Sequence, residues 1–196
     1  MIALPKGFRQ AVPDDAPAMA ELVNMAGEGM PHYLWSLAAK DGESGWDVGR
    51  QRAQRESGAY SYRNTVVRIV DNRVAAMLTG YPLGDEPDPD GWKDLPPIFV
   101  PLQELEDLVP GTWYVNILAS YPAFRGKGYG TELLGIADQL AAITLRQGLS
   151  IIVSDGNTGA RRLYERNGYK PIAARPVVKD GWETGSENWV LLLKRF

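Results

Sequence analysis

Residues 112–131, Thr-Trp-Tyr-Val-Asn-Ile-Leu-Ala-Ser-Tyr-Pro-Ala-Phe-Arg-Gly-Lys-Gly-Tyr-Gly-Thr, decide the fold. TWYVNILAS (112–120) is long, apolar and rich in residues that suit a strand. Pro122 and three alternating glycines, Gly126, Gly128 and Gly130, then break it. From residue 130 a helical period begins. Leu133, Ile136, Ala137, Leu140, Ala141 and Thr144 share one face through residue 147, and Gly148 is expected to stop the helix. A strand, a glycine-rich turn and a helix in this order form a cradle for an anion. Glycines let backbone N–H groups converge, and the helix adds its free N-terminal N–H groups and dipole. Arg125 and Lys127 add positive charge, and Thr131 adds a hydroxyl. The plain alternative is a glycine-rich turn with no ligand.

Downstream, LSIIVS (149–154) reads as a short buried strand. NTGARRLYERNG follows as a helix capped by Asn157 and ended by Gly168. Tyr164 lies seven residues after Asn157, two turns on and on the same face. A phenol there can donate a proton or hold one by hydrogen bonding. For an isolated tyrosine, a core aromatic with a satisfied hydroxyl is the simpler reading. YKPIAARPVV and NWVLLLKRF are two final strands, with a turn at Asp180–Gly181.

Upstream, GFRQAV (7–12) reads as a strand, and Asp14 or Asp15 as the cap of a helix bearing Met19, Leu22, Val23 and Ala26. MPHYLWSLAA is a second helix, and 46–57 a polar one whose Arg50, Arg52 and Arg55 read as a solvated face. TVVRIV (65–70) and RVAAMLTGY form a hairpin about Asp71–Asn72. The expected fold is α/β (α+β): a mixed, mostly antiparallel central sheet flanked by helices, in one domain over residues 1–196.

Composition narrows the chemistry. The 196 residues are 44% hydrophobic and 23% charged, an ordinary globular balance. No cysteine is present, which excludes disulfides, thiolate catalysis and cysteine metal sites. His32 is the one histidine, so a multi-histidine metal centre is excluded and no metal site is expected. The net charge of −3 argues against general nucleic-acid binding. No segment is apolar for long enough to span a membrane, and MIALPKGFRQ does not read as a secretory signal. A cytoplasmic location is the expectation. Acids concentrate in residues 82–110: Asp85, Glu86, Asp88, Asp90, Asp94, Glu104, Glu106 and Asp107, against Lys93 alone. Half of the chain's 14 prolines lie there too. This acidic, proline-rich insertion reads as a lid attracting a cationic amine, as a solvated loop, or as a surface for a homodimer. PLQELEDLV (101–109) supplies a short helix within it.

RGKGYG, followed by Asn157, Ala160, Leu163-Tyr164-Glu165 and Gly168-Tyr169, resembles two linked motifs of the GNAT superfamily of N-acetyltransferases. The likeness is close over 112–196 and covers 7–81 through element order only. It implies acetyl-CoA as cosubstrate and direct transfer of its acyl group to a primary amine. Backbone groups at Leu118 and Ser120 would pair with the pantetheine arm. Arg125, Gly126, Lys127, Gly128, Tyr129, Gly130 and Thr131 would hold the pyrophosphate, and Asn157 would contact the pantetheine region. Tyr164 would protonate or stabilise the departing thiolate. No covalent intermediate is needed, which suits a chain without cysteine.

Many relatives carry an acid on the strand before the loop. Here that strand offers only Asn116. Glu28, His32, Tyr33 and Tyr114 are the substitutes for a general base, though a lone histidine in an apolar helix is more often structural. The missing acid keeps open a second reading, a CoA-binding sensor without turnover. Walker-type nucleotide binding fits less well, because GxxxxGK[ST] does not occur, and the glycines are spaced GxGxG rather than GxGxxG.

Overall fold

The computed structural model describes residues 2–89, 91–92 and 94–196. Its strands are β1 (Phe8–Gln10), β2 (Thr65–Val70), β3 (Arg73–Pro82), β4 (Trp113–Ser120), β5 (Gly148–Ser154), β6 (Lys170–Pro176) and β7 (Asn188–Arg195). They form a seven-stranded sheet in the order β1-β2-β3-β4-β5-β7-β6. β4 and β5 pair in parallel, while β1–β2, β2–β3, β5–β7 and β6–β7 are antiparallel. The helices are α1 (Ala16–Ala26), α2 (Met30–Ala38), α3 (Gly45–Ala53), α4 (Val100–Glu106), α5 (Tyr129–Ile143) and α6 (Thr158–Arg166). The expected mixed, mostly antiparallel sheet with flanking helices is the observed architecture. The chain divides into two compact units.

One unit holds residues 2–80 and 116–136. Met19, Leu22 and Val23 of α1 are buried at the expected helical spacing, and pack with Trp35, Val48, Val67, Met77 and Ile117. The expected aspartate cap is not what holds the start of α1. The side chain of Asp15 makes no cap bond. It takes the backbone N–H of Val12 at 2.9 Å and the guanidinium of Arg9 at 2.6 Å. α3 begins on a capping box between Ser44 and Asp47. Its basic face is not wholly solvated, because Nε of Arg52 is buried without a hydrogen-bond partner. A Cβ at Gly49 would stand 2.5 Å from Trp35, so the glycine lets α2 and α3 approach closely. The β2–β3 hairpin turns at Asp71 and Asn72, both left-handed at φ 47° and 59°.

The other unit holds residues 81–115 and 137–196. β5 is buried along almost its whole length and lies between β4 and β7. The insertion is not a freely solvated loop. Leu83 N–H donates to the Thr112 carbonyl at 2.8 Å, and Gly111 N–H to that of Gly84 at 2.7 Å, which ties its two ends together. Ile98, Leu105 and Val109 are buried. Glu104 pairs with Arg175 at 2.5 Å and Asp85 with Arg146 at 2.8 Å. Asp90 and Lys93 lie outside the described residues.

α5 ends earlier than its sequence suggests. Leu145 adopts φ 55°, its N–H donates to the Ala142 carbonyl at 3.1 Å, and Arg146 N–H donates to the Ala141 carbonyl at 2.9 Å. This is a left-handed cap of the Schellman type, made without glycine. Gly148 therefore does not stop the helix. It opens β5, where a Cβ would lie 2.1 Å from the Lys194 carbonyl oxygen.

Candidate active site

The loop expected to cradle an anion lies in the first unit. A one-turn 3-10 helix, Pro122–Phe124, leads from β4 into the loop. Gly126 and Gly128 stand at φ 73° and 86°, a region that disfavours side chains. A Cβ built on either would meet no atom within 4 Å. The backbone path, not crowding, requires the glycines, and it leaves open space beside the chain. The first hydrogen bond entering α5 runs from Glu132 N–H to the Gly128 carbonyl at 3.1 Å. The N–H groups of Tyr129, Gly130 and Thr131 precede it and have no partner within the helix. Arg125, Gly126, Lys127, Gly128 and Thr131 are exposed, while Tyr129 and Gly130 are half-buried.

Aromatic contacts brace this loop from within the same unit. The ammonium of Lys127 lies 5.2 Å from the ring centre of Phe124, and the guanidinium of Arg68 lies 4.9 Å from that of Tyr129. Nε of Arg125 donates to the Ser120 carbonyl at 3.3 Å. That carbonyl is one of the backbone groups expected to meet the pantetheine arm. Leu118 and Ser120 are half-buried on β4. Arg68 was not anticipated, because nothing in its local sequence links it to a loop some sixty residues on.

Among the proposed bases in this unit, Glu28 takes a left-handed φ of 53° between α1 and α2. His32 packs on Trp46 with ring centres 4.5 Å apart, and its backbone N–H donates to Asn24 Oδ1 at 3.0 Å. Tyr33 and Asn116 are half-buried.

The second unit carries Asn157, Tyr164 and Tyr114. Asn157 caps α6, its Oδ1 accepting from Ala160 N–H at 3.2 Å. The cap uses the oxygen and leaves the amide NH2 for other bonds. Tyr164 is 4% exposed, with its ring centre 6.0 Å from that of Tyr169. Burial pushes its phenol well above the ordinary tyrosine value, so the proton stays on oxygen at neutral pH.

Glu106 is a perturbed carboxyl that sequence reasoning did not single out. Burial, then the neighbouring charge of Asp107, push its carboxyl up to about 7, against a hydrogen bond from Tyr114 that favours the ion. Tyr114 is buried, and its phenol is raised by burial, by the charges of Glu106 and Tyr81, and by donating to Glu106. The ring centres of Tyr81 and Tyr114 are 5.7 Å apart. A signal was present: Glu106 falls on the apolar face of its helix, with Leu102, Leu105 and Val109 at helical spacing. An acid there is half-buried rather than fully solvated.

The acetyltransferase (GNAT) family model matches residues 32–169, and the chain belongs to that family. Among solved structures it is similar to a crystal structure of an acetyltransferase, at 23% identity over 96% of this chain and 98% of that one, with a TM-score of 0.69. An N-acetyltransferase from Staphylococcus aureus Mu50 aligns at 23% identity over 95% of this chain and 98% of that one, with a TM-score of 0.66. A GNAT family acetyltransferase from Elizabethkingia anophelis, with acetyl-CoA bound, aligns at 18% identity over 67% and 75%, with a TM-score of 0.50. Comparison with curated proteins finds no significant match. Among the described residues, no helix is long and apolar enough to cross a membrane.

Proposed function

We propose that this chain is an acetyl-CoA-dependent N-acetyltransferase, with residues 1–196 acting as one catalytic domain. The observation that carries the reading is the left-handed, solvent-open turn at Gly126 and Gly128, placed at the N-terminus of the 15-residue α5. Such a turn presents consecutive N–H groups and a helix dipole to a pyrophosphate, and Arg125 and Lys127 add charge. The acetyl-CoA reported in the Elizabethkingia anophelis relative supports the choice of ligand. Backbone groups at Leu118 and Ser120, with Asn157, would hold the pantetheine arm.

In the reaction, a neutral amine attacks the thioester carbonyl. The N–C bond forms, the C–S bond breaks, and the sulfur leaves as a thiolate. Tyr164, held neutral by burial, donates a hydrogen bond and then its proton to that sulfur. The phenolate recovers a proton from the amide nitrogen. Holding amine and thioester together supplies the rest of the acceleration by orientation.

Calorimetric titration of acetyl-CoA into the protein, beside an Arg125→Ala/Gly128→Val double variant, tests the reading. Micromolar binding by the parent chain, lost in the variant, is expected. Release of free coenzyme A with a panel of primary amines then separates an enzyme from a CoA-binding sensor. A folded parent chain that fails to bind acetyl-CoA overturns the proposal.

A further inference from the structure

Residues of the insertion line a cavity of about 380 Å³, bounded by Pro82, Leu83, Asp88, Gln103, Glu106 and Asp107 among others. Glu106 is thus at once in the wall of a cavity and in hydrogen bond with a buried phenol, Tyr114. Resting on the acetyl-transfer reading above, we propose that Glu106 is the proton acceptor for the incoming amine, reached through this cavity.

The chemistry requires such a group. At neutral pH an alkylamine is an ammonium ion, and an ammonium has no lone pair with which to attack. One proton must leave before the N–C bond forms, commonly to a carboxylate directly or through one water. β4 offers no acid at all, only Asn116. The insertion supplies the missing carboxylate from α4 instead. Glu106 takes the proton from the ammonium, becomes a neutral acid, and returns the proton to water after turnover. The second amine proton stays on nitrogen until the C–S bond breaks, then reaches the sulfur through Tyr164. Charge and protons balance: an ammonium and acetyl-CoA give an amide, free coenzyme A and one proton.

The surroundings of Glu106 suit this task. Tyr81 from β3, Asp107 just past the end of α4 and Tyr114 from β4 face it, and Glu86 and Asp88 lie around the same cavity. Among the described residues no lysine or arginine lines the cavity. Burial and like charge leave it balanced near neutrality, where a base both accepts and releases a proton readily. Tyr114 also feels Tyr164, the phenol assigned to the leaving sulfur, electrostatically. The anionic lining favours a cationic acceptor over a neutral one.

The test compares the parent chain with Glu106→Gln and Tyr114→Phe. Acetyl-CoA binding is read by calorimetry. The glutamate carboxyls are followed by carbon-13 NMR in protein labelled at that carbon, from pH 4 to 9. Rates of coenzyme A release are measured with spermidine and with a lysine-containing tripeptide. Glu106→Gln should bind acetyl-CoA as the parent does, yet lose about a hundredfold or more in kcat/KM. It should also lose the rise of kcat/KM with pH that the parent shows near neutrality. Tyr114→Phe removes a hydrogen bond that favours the ion. It should therefore move both that rise and the Glu106 resonance to higher pH together, a coupling that a merely structural carboxyl would not give. A Glu106 resonance titrating in the ordinary glutamate range overturns the proposal, whichever amine is used. So does a Glu106→Gln variant with the parent's rate and pH profile. Failure of the parent to bind acetyl-CoA instead marks the acetyl-transfer reading as the part that is wrong, and removes the proposal with it.

Discussion

The guanidinium of Arg68, on β2, stands 4.9 Å from the ring centre of Tyr129, the first residue of α5, and at the same distance from that of Phe8. One of its terminal nitrogens also donates to the Lys6 carbonyl at 2.8 Å. Arg68 therefore ties β1 and the start of α5 to the sheet of their unit. Replacing it with leucine keeps much of the packing volume but removes the charge over both rings and the carbonyl bond. The expected loss of stability is about 1–2 kcal/mol, read by urea denaturation. Acetyl-CoA affinity should fall several-fold, because Tyr129 opens the helix whose N-terminus is proposed to form the cradle. Unchanged affinity in a destabilised variant would separate the brace from the binding loop.

Gly128 offers a cleaner separation. It sits at φ 86° with open space where a Cβ would go. Gly128→Ala therefore creates no clash, and its cost is the left-handed backbone alone, about 1–2 kcal/mol. The chain should stay folded and relax the turn, so that the N–H groups no longer converge. Acetyl-CoA binding should weaken tenfold or more by calorimetry, while far-UV circular dichroism is unchanged.

What the sequence disclosed and what it withheld divide along the same physical line. The β2–β3 hairpin was legible because Asp71 and Asn72 tolerate the left-handed turn that the strands need. The turn after β4 and the Asn157 cap were legible because their chemistry is local to a few residues. The end of α5 was not. Leu145, 87% exposed, makes the left-handed cap in place of the expected glycine. Glu106 was hidden for the opposite reason. Its local sequence is a run of acids, and only the packing of α4 takes it partly out of water. Arg68 was hidden because its partner is distant in the chain.

Tyr164→Phe removes one oxygen from a 4%-exposed ring and leaves its packing in place. Acetyl-CoA affinity should change little, since the phenol is assigned to the leaving sulfur and not to the pyrophosphate. The chemical step should slow by about 10²-fold or more, seen in kcat rather than KM. A Phe variant at parental rate would return Tyr164 to a core role.

The cap of α5 and the first residue of β5 make a paired prediction of opposite sign. Leu145→Gly relieves an exposed side chain held at φ 55°, and should stabilise the chain by about 0.5–1 kcal/mol after the added entropy of the unfolded state. Gly148→Ala drives a Cβ to 2.1 Å from the Lys194 carbonyl oxygen, an atom of the paired strand β7. The strand must shift, at a cost of about 1–3 kcal/mol. Thermal and urea unfolding of the two variants should move in opposite directions. A neutral Gly148→Ala would mean that the β5–β7 ladder gives way at its end without loss.

Glu106 also sets a pH dependence of stability that needs no substrate. Its carboxyl lies near 7 in the folded chain and near 4.5 when unfolded, so between these values the folded state holds more protons. Stability is therefore greatest below about pH 4.5 as far as this group decides, falls as pH rises toward 7, and levels off above it. The full swing is of order 3 kcal/mol. Asp15 works in the reverse sense. Burial alone would raise its carboxyl, but the Arg9 guanidinium and the Val12 N–H outweigh that and hold it below the ordinary aspartate range. Its contribution is present above the unfolded value and is lost as pH falls through the folded one. The two groups together predict a stability maximum between about pH 4 and 5. Urea midpoints from pH 3 to 8 should show both limbs. Glu106→Gln should flatten the neutral limb alone, and Asp15→Asn the acidic limb alone. A parent chain whose midpoint does not fall between pH 5 and 7.5 would place the Glu106 carboxyl in water rather than in the wall of the cavity.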